Sequence, residues 1–236
     1  MGSRGPDRYR LAAPIYDLAT ALWSGGAIWR TRARALTLVA PGARVLVPGA
    51  WTGRTAVEAA RRGARVVVAE RSEAMAGRAR RRIAATPGVG SRPAGEGGGI
   101  DLVVADVRDL EPDLAFDAVL AEHFLNVFEP DEMRSMREHL VARTRPGGMF
   151  AVADFAPVDP GAPLPLRAAQ RLHHVLPLGG CALLTGNAMH PIYDHGAELA
   201  QRSDLRLESA LDARSFGVGP RWFRSWIFRR IDAPSP

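Results

Sequence analysis

Two glycines and two carboxylates are placed where a parallel sheet would bring them to one edge. Gly49 and Gly53 lie in a turn after the apolar run 43–47, and Glu70 and Asp106 each end a further apolar run. Glycine lets a backbone approach a ligand closely, and a carboxylate accepts hydrogen bonds from hydroxyl and amino groups. Open α/β sheets bind ligands beyond the carboxyl ends of their strands, so this spacing indicates a ligand site, and the strand-turn-helix layout of residues 43–60 is typical of a nucleotide-binding loop.

The glycine turn departs from the dinucleotide-binding pattern. That fingerprint, Gly-x-Gly-x-x-Gly, needs three glycines, whereas residues 49–54 read Gly-Ala-Trp-Thr-Gly-Arg and fail at two positions. A dehydrogenase is therefore disfavoured. Two residues are unexpected in a nucleotide-binding turn of this layout, because Val47 replaces an acid at the strand end and Trp51 replaces a glycine.

Short apolar runs alternate with helical patterns through the middle of the chain. The runs predict buried strands at 43–47, 64–70, 100–106, 116–124 and 149–155. Helices are predicted at 55–63, 72–85 and 131–143, the second with Ser72 as its N-cap. Such alternation predicts a parallel sheet with helices on both faces.

The two ends of the chain are patterned differently. Residues 8–40 are predicted to be helical, with a break at Gly25-Gly26 and an apolar face that includes Leu18 and Leu22. The predictions for the other end are a helix at 165–177, a loop or broken helix at 181–194, a helix at 195–204 and a strand pair at 205–212 and 221–230. We predict a single domain, 1–236, with a helical N-terminal cap at 1–40 and a covering insertion at 156–203.

The composition bears on which partners the protein binds and on the compartment in which we expect it. The net charge is +6, but all 31 basic residues are arginine, which indicates a genomic composition bias rather than nucleic-acid binding. The densest arginine cluster, 78–82, lies late in a predicted helix, where cations complement the helix dipole. No apolar run approaches the roughly 20 residues of a membrane span. The single cysteine, Cys181, excludes an internal disulfide and fits a reducing cytoplasm, where we expect the protein.

The order of elements and motifs resembles that of the class I S-adenosylmethionine-dependent methyltransferases. Their first motif, acid-x-Gly-x-Gly-x-Gly, corresponds to residues 47–53, and their acid after the second strand corresponds to Glu70. Their third, fourth and fifth motifs correspond to Asp106-Val107, 116–128 and 140–155. The resemblance implies an α/β, Rossmann-like fold with a doubly wound, mainly parallel sheet of seven strands, S-adenosylmethionine as cofactor, and a small-molecule substrate.

The resemblance also implies a role for each matched residue. Glu70 would accept hydrogen bonds from the ribose hydroxyls, Asp106 would accept one from the adenine amino group, and Val107 would donate its backbone N–H to the ring. Asp106 also fits a turn cap, and Met75 fits either a place over the adenine or the core. The predicted cofactor-binding residues are Tyr16, Gly49, Ala50, Trp51, Gly53, Glu70, Arg71, Met75, Asp106, Val107 and Glu122.

The residue at position 47 separates two hypotheses for the reaction. In the family pattern the acid there favours the ammonium group of the cofactor, which valine cannot do. Either other groups hold the ammonium and methyl transfer proceeds, or a neutral amine attacks its own γ-carbon, which releases methylthioadenosine and closes azetidine-2-carboxylate. Loss of the carboxylate and burial beside Trp51 would lower the pKa of that amine. The tail resembles, more loosely, the azetidine-2-carboxylate synthases of the same fold.

The candidate catalytic residues lie after the fourth strand and in the tail. His123, Asn126 and Tyr193 belong to segments that are expected to cover the pocket. His123 is placed either to act as a general base or to serve as a hydrogen-bonded structural histidine. The rings of Tyr16 and Trp51 are placed to face the sulfonium or to pack in the core.

Two further possibilities concern metal binding and the absence of turnover. His173 and His174 are adjacent, so they point apart on a helix, and no third ligand stands at metal-binding spacing. No metal site is therefore predicted. A cofactor-binding protein without turnover is a third hypothesis, because a fold does not fix its function.

Overall fold

The computed structural model describes residues 7, 9, 16–90, 99–185 and 189–232. The helices are α1 (Tyr16–Ser24), α2 (Ala27–Leu36), α3 (Arg54–Arg61), α4 (Glu73–Ala84), α5 (Pro130–Ala142), α6 (Leu164–Thr185) and α7 (His195–Leu199). The strands are β1 (Arg44–Pro48), β2 (Arg65–Ala69), β3 (Ile100–Val103), β4 (Phe116–Glu122), β5 (Thr144–Phe155), β6 (Leu205–Ala213) and β7 (Phe223–Arg230). Short 3-10 turns at Val107–Asp109 and Leu125–Val127 follow β3 and β4.

The strands form one sheet in the order β3-β2-β1-β4-β5-β7-β6. Strands β1 to β5 pair in parallel, and β7 pairs antiparallel with both β5 and β6. The predicted doubly wound, mainly parallel fold is therefore confirmed. The chain runs outward from β1 to β3 and then returns to place β4 beside β1, so the strand order reverses between β1 and β4. Ligands of such sheets bind at the carboxyl ends of the strands that flank this reversal.

Side chains of the central strands alternate between two apolar layers. On β1, Val45 and Val47 belong to one layer and Leu46 to the other. On the neighbouring β4, Leu120 belongs to the first layer and Val119 to the second. A strand that is covered by helices on both faces needs apolar residues throughout. This burial explains why continuous apolar runs predicted the strands.

Helix α6 differs from the prediction. It spans Leu164–Thr185, so it extends past the predicted end at residue 177, and residues 181–185 of the predicted loop or broken helix are helical. Pro177 lies inside the helix without ending it, although an interior proline removes one backbone hydrogen bond and crowds the preceding turn. Residues 186–188 of the predicted loop lie outside the described residues. The helix predicted at 195–204 is present but ends at Leu199.

The first two helices follow the predicted apolar face only in part. Leu18 and Leu22 of α1 were assigned to that face, yet they are 64% and 66% exposed. Leu36 of α2 was assigned to it as well and is buried, together with Ala27, Thr31, Arg32 and Ala35. Helical spacing alone does not reveal which side of a helix meets the sheet. The predicted break is present at Gly25 and Gly26, both of which have positive φ angles.

The predicted division of the domain stays a prediction. Helices α1 and α2 lie within the cap 1–40, and α6 and α7 lie within the insertion 156–203. The insertion does contact the turn after β4, because Tyr193 donates a hydrogen bond to the Phe128 carbonyl over 2.9 Å. Tyr193 therefore lies near the segment that follows the carboxyl end of β4.

Candidate functional site

The turn after β1 brings its backbone close to neighbouring elements. Gly49 and Gly53 have φ angles of 78° and 79°, in the left-handed region that favours glycine. A Cβ atom on Gly53 would lie 3.0 Å from the Cβ of Ala79, so this glycine also sets the approach of α3 to α4. A Cβ atom on Gly49 would lie 3.1 Å from the Phe124 ring. The turn is therefore packed tightly between α4 and the segment after β4.

Trp51 links this turn to the end of β4. Its φ angle is 48°, a left-handed conformation that is uncommon for a bulky residue. The indole N–H donates a hydrogen bond to the Glu122 carbonyl over 2.9 Å. The Arg32 guanidinium lies 4.7 Å from the ring centroid, at cation–π distance. Trp51 thus adopts a backbone conformation that glycine favours, and its side chain links the turn after β1 to the end of β4.

Glu70 lies at the carboxyl end of β2 and is partly buried. Its carboxylate accepts hydrogen bonds from the backbone N–H of Ala50 over 2.8 Å and of Ser72 over 2.7 Å. Burial raises the pKa of Glu70, and these N–H donors act against that rise. Each carboxylate oxygen has two lone pairs, so Glu70 retains acceptor sites for ligand hydroxyls. The backbone of the glycine turn therefore orients the predicted ribose-binding side chain.

Asp106 caps the 3-10 turn after β3. Its carboxylate accepts hydrogen bonds from the Arg108 backbone over 3.0 Å and from the Arg108 guanidinium over 2.9 and 2.8 Å. Arg71 approaches the same carboxylate to 3.6 Å. Burial acts to raise the pKa of Asp106, but the Arg108 and Arg71 cations outweigh it and the pKa falls. The turn cap that the sequence allowed is present, and the adenine contact stays a prediction.

The remaining predicted cofactor residues differ in their burial. Met75 is buried in the first turn of α4, which favours the core interpretation over an exposed place above adenine. Val107 is buried in the turn that Asp106 caps. Arg71 is largely exposed. Tyr16 begins α1, and its side chain lies outside the described residues.

Glu122 is the last residue of β4, and its side chain is 2% exposed. One carboxylate oxygen, Oε2, accepts a hydrogen bond from the Thr55 hydroxyl over 2.6 Å. The other oxygen, Oε1, has no hydrogen-bond partner among the described residues. Burial raises the pKa of Glu122 to about 7, and the nearby Arg32 cation opposes the rise. Near neutral pH the Glu122 carboxyl group is therefore partly protonated and partly ionised.

A second buried polar cluster is centred on Asp154 in β5. The Asn126 side chain donates to Asp154 Oδ1 over 2.8 Å. His123 Nδ1 lies 3.7 Å from Oδ1, and His195 Nε2 lies 3.5 Å from Oδ2. Burial acts to raise the pKa of Asp154, but the interaction with His195 and the hydrogen bond from the Phe155 backbone N–H act against it, and the pKa falls. Two of the three predicted catalytic residues, His123 and Asn126, are thus brought together by one carboxylate.

The protonation of the predicted catalytic residues limits what they do. Burial lowers the pKa of His123 to about 3, with Arg32 acting in the same direction, so the imidazole is neutral and only weakly basic. Burial raises the pKa of Tyr193 to about 12, so its hydroxyl keeps its proton. Tyr193 stacks on His190 with ring centroids 4.3 Å apart. These groups are suited to orienting a bound molecule more than to accepting its proton.

Arg32 is the functional candidate that the sequence analysis missed. It lies in α2 and is 9% exposed, and its Nε and Nη2 atoms have no hydrogen-bond partner among the described residues. Nothing in the sequence separates it from the other arginines, because arginine supplies all 31 basic residues. Burial next to Trp51 and Glu122 is a tertiary property.

The described part of the chain offers neither a metal-binding cluster nor a membrane-spanning helix. No group of three His, Cys, Asp or Glu side chains there is arranged to hold a metal ion. None of the described helices combines the length and the apolar character that a bilayer crossing requires.

Sequence comparison relates the middle of the chain to a known class of domain. Residues 45–148 match a protein family described as a methyltransferase domain. This segment contains β1 to β4 with the glycine turn, Glu70 and Asp106. Residues 45–148 therefore match a methyltransferase domain, as the resemblance of the motifs predicted.

Individual relatives agree with this class. Demethylmenaquinone methyltransferase of Clavibacter sepedonicus is 33% identical over 153 residues, which make up 63% of this chain and 56% of the relative. The match thus spans little more than half the length of the curated relatives.

Solved structures share the fold at low sequence identity. N-methyltransferase NodS of Bradyrhizobium japonicum WM9, in complex with S-adenosyl-L-homocysteine, gives a TM-score of 0.60 at 14% identity over 87% of this chain and 88% of NodS. The 1,6-didemethyltoxoflavin-N1-methyltransferase of Burkholderia thailandensis gives 0.58 at 18% identity over 98% of this chain and 93% of that enzyme. At these identities the likeness concerns the fold alone.

Proposed function

We propose that the protein is an S-adenosylmethionine-dependent methyltransferase that acts on a small molecule. The observation that carries the proposal is the placement of a glycine turn and two carboxylates at the carboxyl ends of β1, β2 and β3, beside the reversal in strand order. Glu70 is proposed to bind the ribose hydroxyls and Asp106 the adenine amino group. S-adenosylmethionine would supply an activated methyl group at the far end of this site.

The relatives support both the cofactor and the class of substrate. Two curated relatives are named demethylmenaquinone methyltransferases. One structural neighbour was crystallised with 1,6-didemethyltoxoflavin and S-adenosylhomocysteine. We therefore propose a small organic acceptor rather than a nucleic acid.

His123, Asn126 and Tyr193 are proposed to face that acceptor. Asn126 is oriented by Asp154 and Tyr193 by the Phe128 carbonyl. Because His123 is a weak base and Tyr193 keeps its proton, we propose that these groups position the acceptor and exclude water. Positioning alone can supply a large part of the acceleration of a bimolecular transfer.

One incubation experiment separates the proposed reaction from its alternatives. The purified protein is incubated with S-adenosylmethionine, first alone and then with candidate acceptors such as quinones and other small aromatic compounds. The nucleoside products are then separated by chromatography. S-adenosylhomocysteine that forms only when an acceptor is added supports methyl transfer.

The other two hypotheses predict different products. Methylthioadenosine that forms without an acceptor would support cyclisation to azetidine-2-carboxylate and contradict methyl transfer. Tight binding of S-adenosylmethionine with neither product, across the acceptor panel, would support a binding protein without turnover. A protein that does not bind S-adenosylmethionine at all would contradict all three hypotheses.

A further inference from the structure

The acidic residues at the strand ends follow the order of the sheet. Asp106 follows β3, Glu70 follows β2, and Glu122 ends β4, whereas β1 ends in Val47-Pro48 and carries no acid. Neighbouring strands lie about 4.8 Å apart, so β3 and β4 are separated by three spacings, or about 14 Å. If the nucleoside lies over β3 and β2, the rest of the ligand extends toward β1 and β4. The carboxylate at that end of the row is Glu122.

Glu122 projects from the same face of the sheet as Val47. The pairing Val45↔Ala118 and Leu46↔Val119 aligns Val47 with Leu120 across β1 and β4. Side chains alternate along a strand, so Glu122 lies on the face of Leu120, one step nearer the carboxyl end. Val47 and Leu120 are packed together in the same apolar layer. On that face of β4, Glu122 is therefore the acidic residue that follows the apolar layer toward the carboxyl end of the strand.

The Glu122 carboxylate is only partly satisfied by the protein. It is 2% exposed, and Thr55 bonds to Oε2 while Oε1 has no partner among the described residues. A buried carboxylate is costly to ionise unless a positive group or several hydrogen bonds face it. The unpartnered oxygen lies beside the reversal in strand order, where this fold binds its ligands.

Arg32 provides the opposite charge in the same place. Its guanidinium packs on Trp51, whose indole in turn bonds to the Glu122 carbonyl. Arg32 is close enough to act on the charge of Glu122, yet the described structure contains no ion pair between them, and Nε and Nη2 of Arg32 have no partner. His123, also near Arg32, is neutral. A buried anion and a buried cation that are not paired with each other are complementary to an ammonium and a carboxylate on one ligand.

We propose that Glu122 is the counter-ion for the ammonium group of the cofactor's amino-acid end, in place of the acid that is absent at position 47. The inference rests on the proposed function, because it assumes that S-adenosylmethionine is the ligand. Arg32 is placed to attract the carboxylate of the same amino-acid end. An amine that is paired with Glu122 keeps its proton and has no lone pair with which to attack its own γ-carbon. The pairing therefore favours methyl transfer over cyclisation.

Binding of two ligands to two matched variants tests the inference. S-adenosylhomocysteine carries the amino-acid end, and methylthioadenosine lacks it. Calorimetry is carried out with both ligands on the wild type, on Glu122→Gln, and on Glu58→Gln, the same change at a residue of α3 that pairs with Arg62 at the surface. Glu122→Gln should weaken S-adenosylhomocysteine about 30-fold and methylthioadenosine less than about threefold, while Glu58→Gln should change neither by more than about twofold.

A second variant tests whether an acid at position 47 can replace Glu122. Adding Val47→Asp to Glu122→Gln returns an acid to the place where the family pattern has one. This double variant should recover about tenfold of the lost affinity for S-adenosylhomocysteine, provided that its melting curve shows a folded protein. If either variant does not fold, the wild type is titrated with the deaminated analogue of S-adenosylhomocysteine, which should bind about 30-fold more weakly than the parent compound.

The outcomes that overturn the inference differ from those that overturn the proposed function. Equal losses for both ligands in Glu122→Gln, or unchanged affinity for S-adenosylhomocysteine, would overturn the role of Glu122 while leaving the cofactor site in place. Equal binding of the deaminated analogue and the parent compound would do the same. A wild type that binds neither nucleoside would instead overturn the proposed function itself.

Discussion

The acidic residues at the carboxyl ends of the strands differ in burial and in hydrogen-bond partners between the two halves of the sheet. On the side of β2 and β3, Glu70 and Asp106 remain partly accessible, and nearby backbone N–H groups already bond to them. On the side of β4 and β5, Glu122 and Asp154 are buried. Their partners come from distant parts of the chain, namely Thr55 for Glu122 and His195 for Asp154.

This difference shows which part of the site can be predicted from local sequence. The acids of the first half are oriented by turns within a few residues or by the adjacent glycine turn, so their motif is visible in the sequence. The acids of the second half depend on burial, which shifts the pKa of Glu122 to about 7 and that of His123 to about 3. Removal of a charge should therefore change binding in the first half, and the pH dependence of stability as well as binding in the second.

Glu122→Gln tests the buried half and has the largest expected effect. Because burial raises the pKa of Glu122 from 4.5 to about 7, the folded protein holds this proton more tightly than the unfolded chain does. The resulting stabilisation is complete below the unfolded pKa and is lost as the pH rises through 7. Relative to Glu122→Gln, the wild type should lose about 3 kcal/mol of unfolding free energy across this range.

Urea unfolding of both proteins at a series of pH values measures this difference. The difference between the two curves isolates Glu122, because His123 and the other titrating groups are common to both proteins. Parallel curves from about pH 4.5 to pH 8 would contradict the assigned burial of the charge.

Glu70→Ala tests the accessible half. The change removes the acceptor for the ribose hydroxyls and leaves the N–H groups of Ala50 and Ser72 without their partner. We expect the affinity for S-adenosylhomocysteine to fall about 100-fold, or about 2.7 kcal/mol. Calorimetry checks this, with Glu73→Ala as the control because the Glu73 side chain is mostly exposed. Unchanged affinity in Glu70→Ala would refute the ribose assignment.

Gly53→Ala tests whether the glycine turn is needed for close packing as well as for its conformation. A Cβ there meets Ala79 at 3.0 Å, whereas one on Gly147 meets nothing within 4 Å, and both glycines have positive φ. Gly147→Ala should lose about 1 kcal/mol of stability from backbone strain alone. Gly53→Ala should lose about 2 kcal/mol, because the contact adds to the strain. Equal losses in urea unfolding would show that the α3–α4 contact can relax.

Asp106→Ala should have the smallest of these effects. The side chain is already engaged by Arg108 in a turn cap, so the adenine contact would use its remaining acceptor sites. We expect the affinity for S-adenosylhomocysteine to fall about tenfold. Arg108→Ala, which removes an exposed partner of the same carboxylate, should change the affinity by less than about threefold. A larger effect in Arg108→Ala than in Asp106→Ala would reverse the assignment.

Much of the fold could be predicted because it rests on local patterns. The five central strands and the helices between them follow from apolar runs and a cap such as Ser72, which accepts a hydrogen bond from the Met75 N–H. The errors arose where packing overrides the pattern. Pro177 should end a helix, yet α6 continues past it, and Leu18 and Leu22 have core-like spacing but are exposed.

The sequence by itself determined that a glycine turn, Glu70 and Asp106 would meet at one edge of a parallel sheet, because strand ends and turns are encoded locally. It also determined that Val47 leaves β1 without an acid. Only the tertiary structure decided that Arg32, Trp51 and Glu122 lie together, since they come from α2, the turn after β1 and the end of β4. Burial and pKa depend on every element packed around a group, and no local pattern in the chain contains that information.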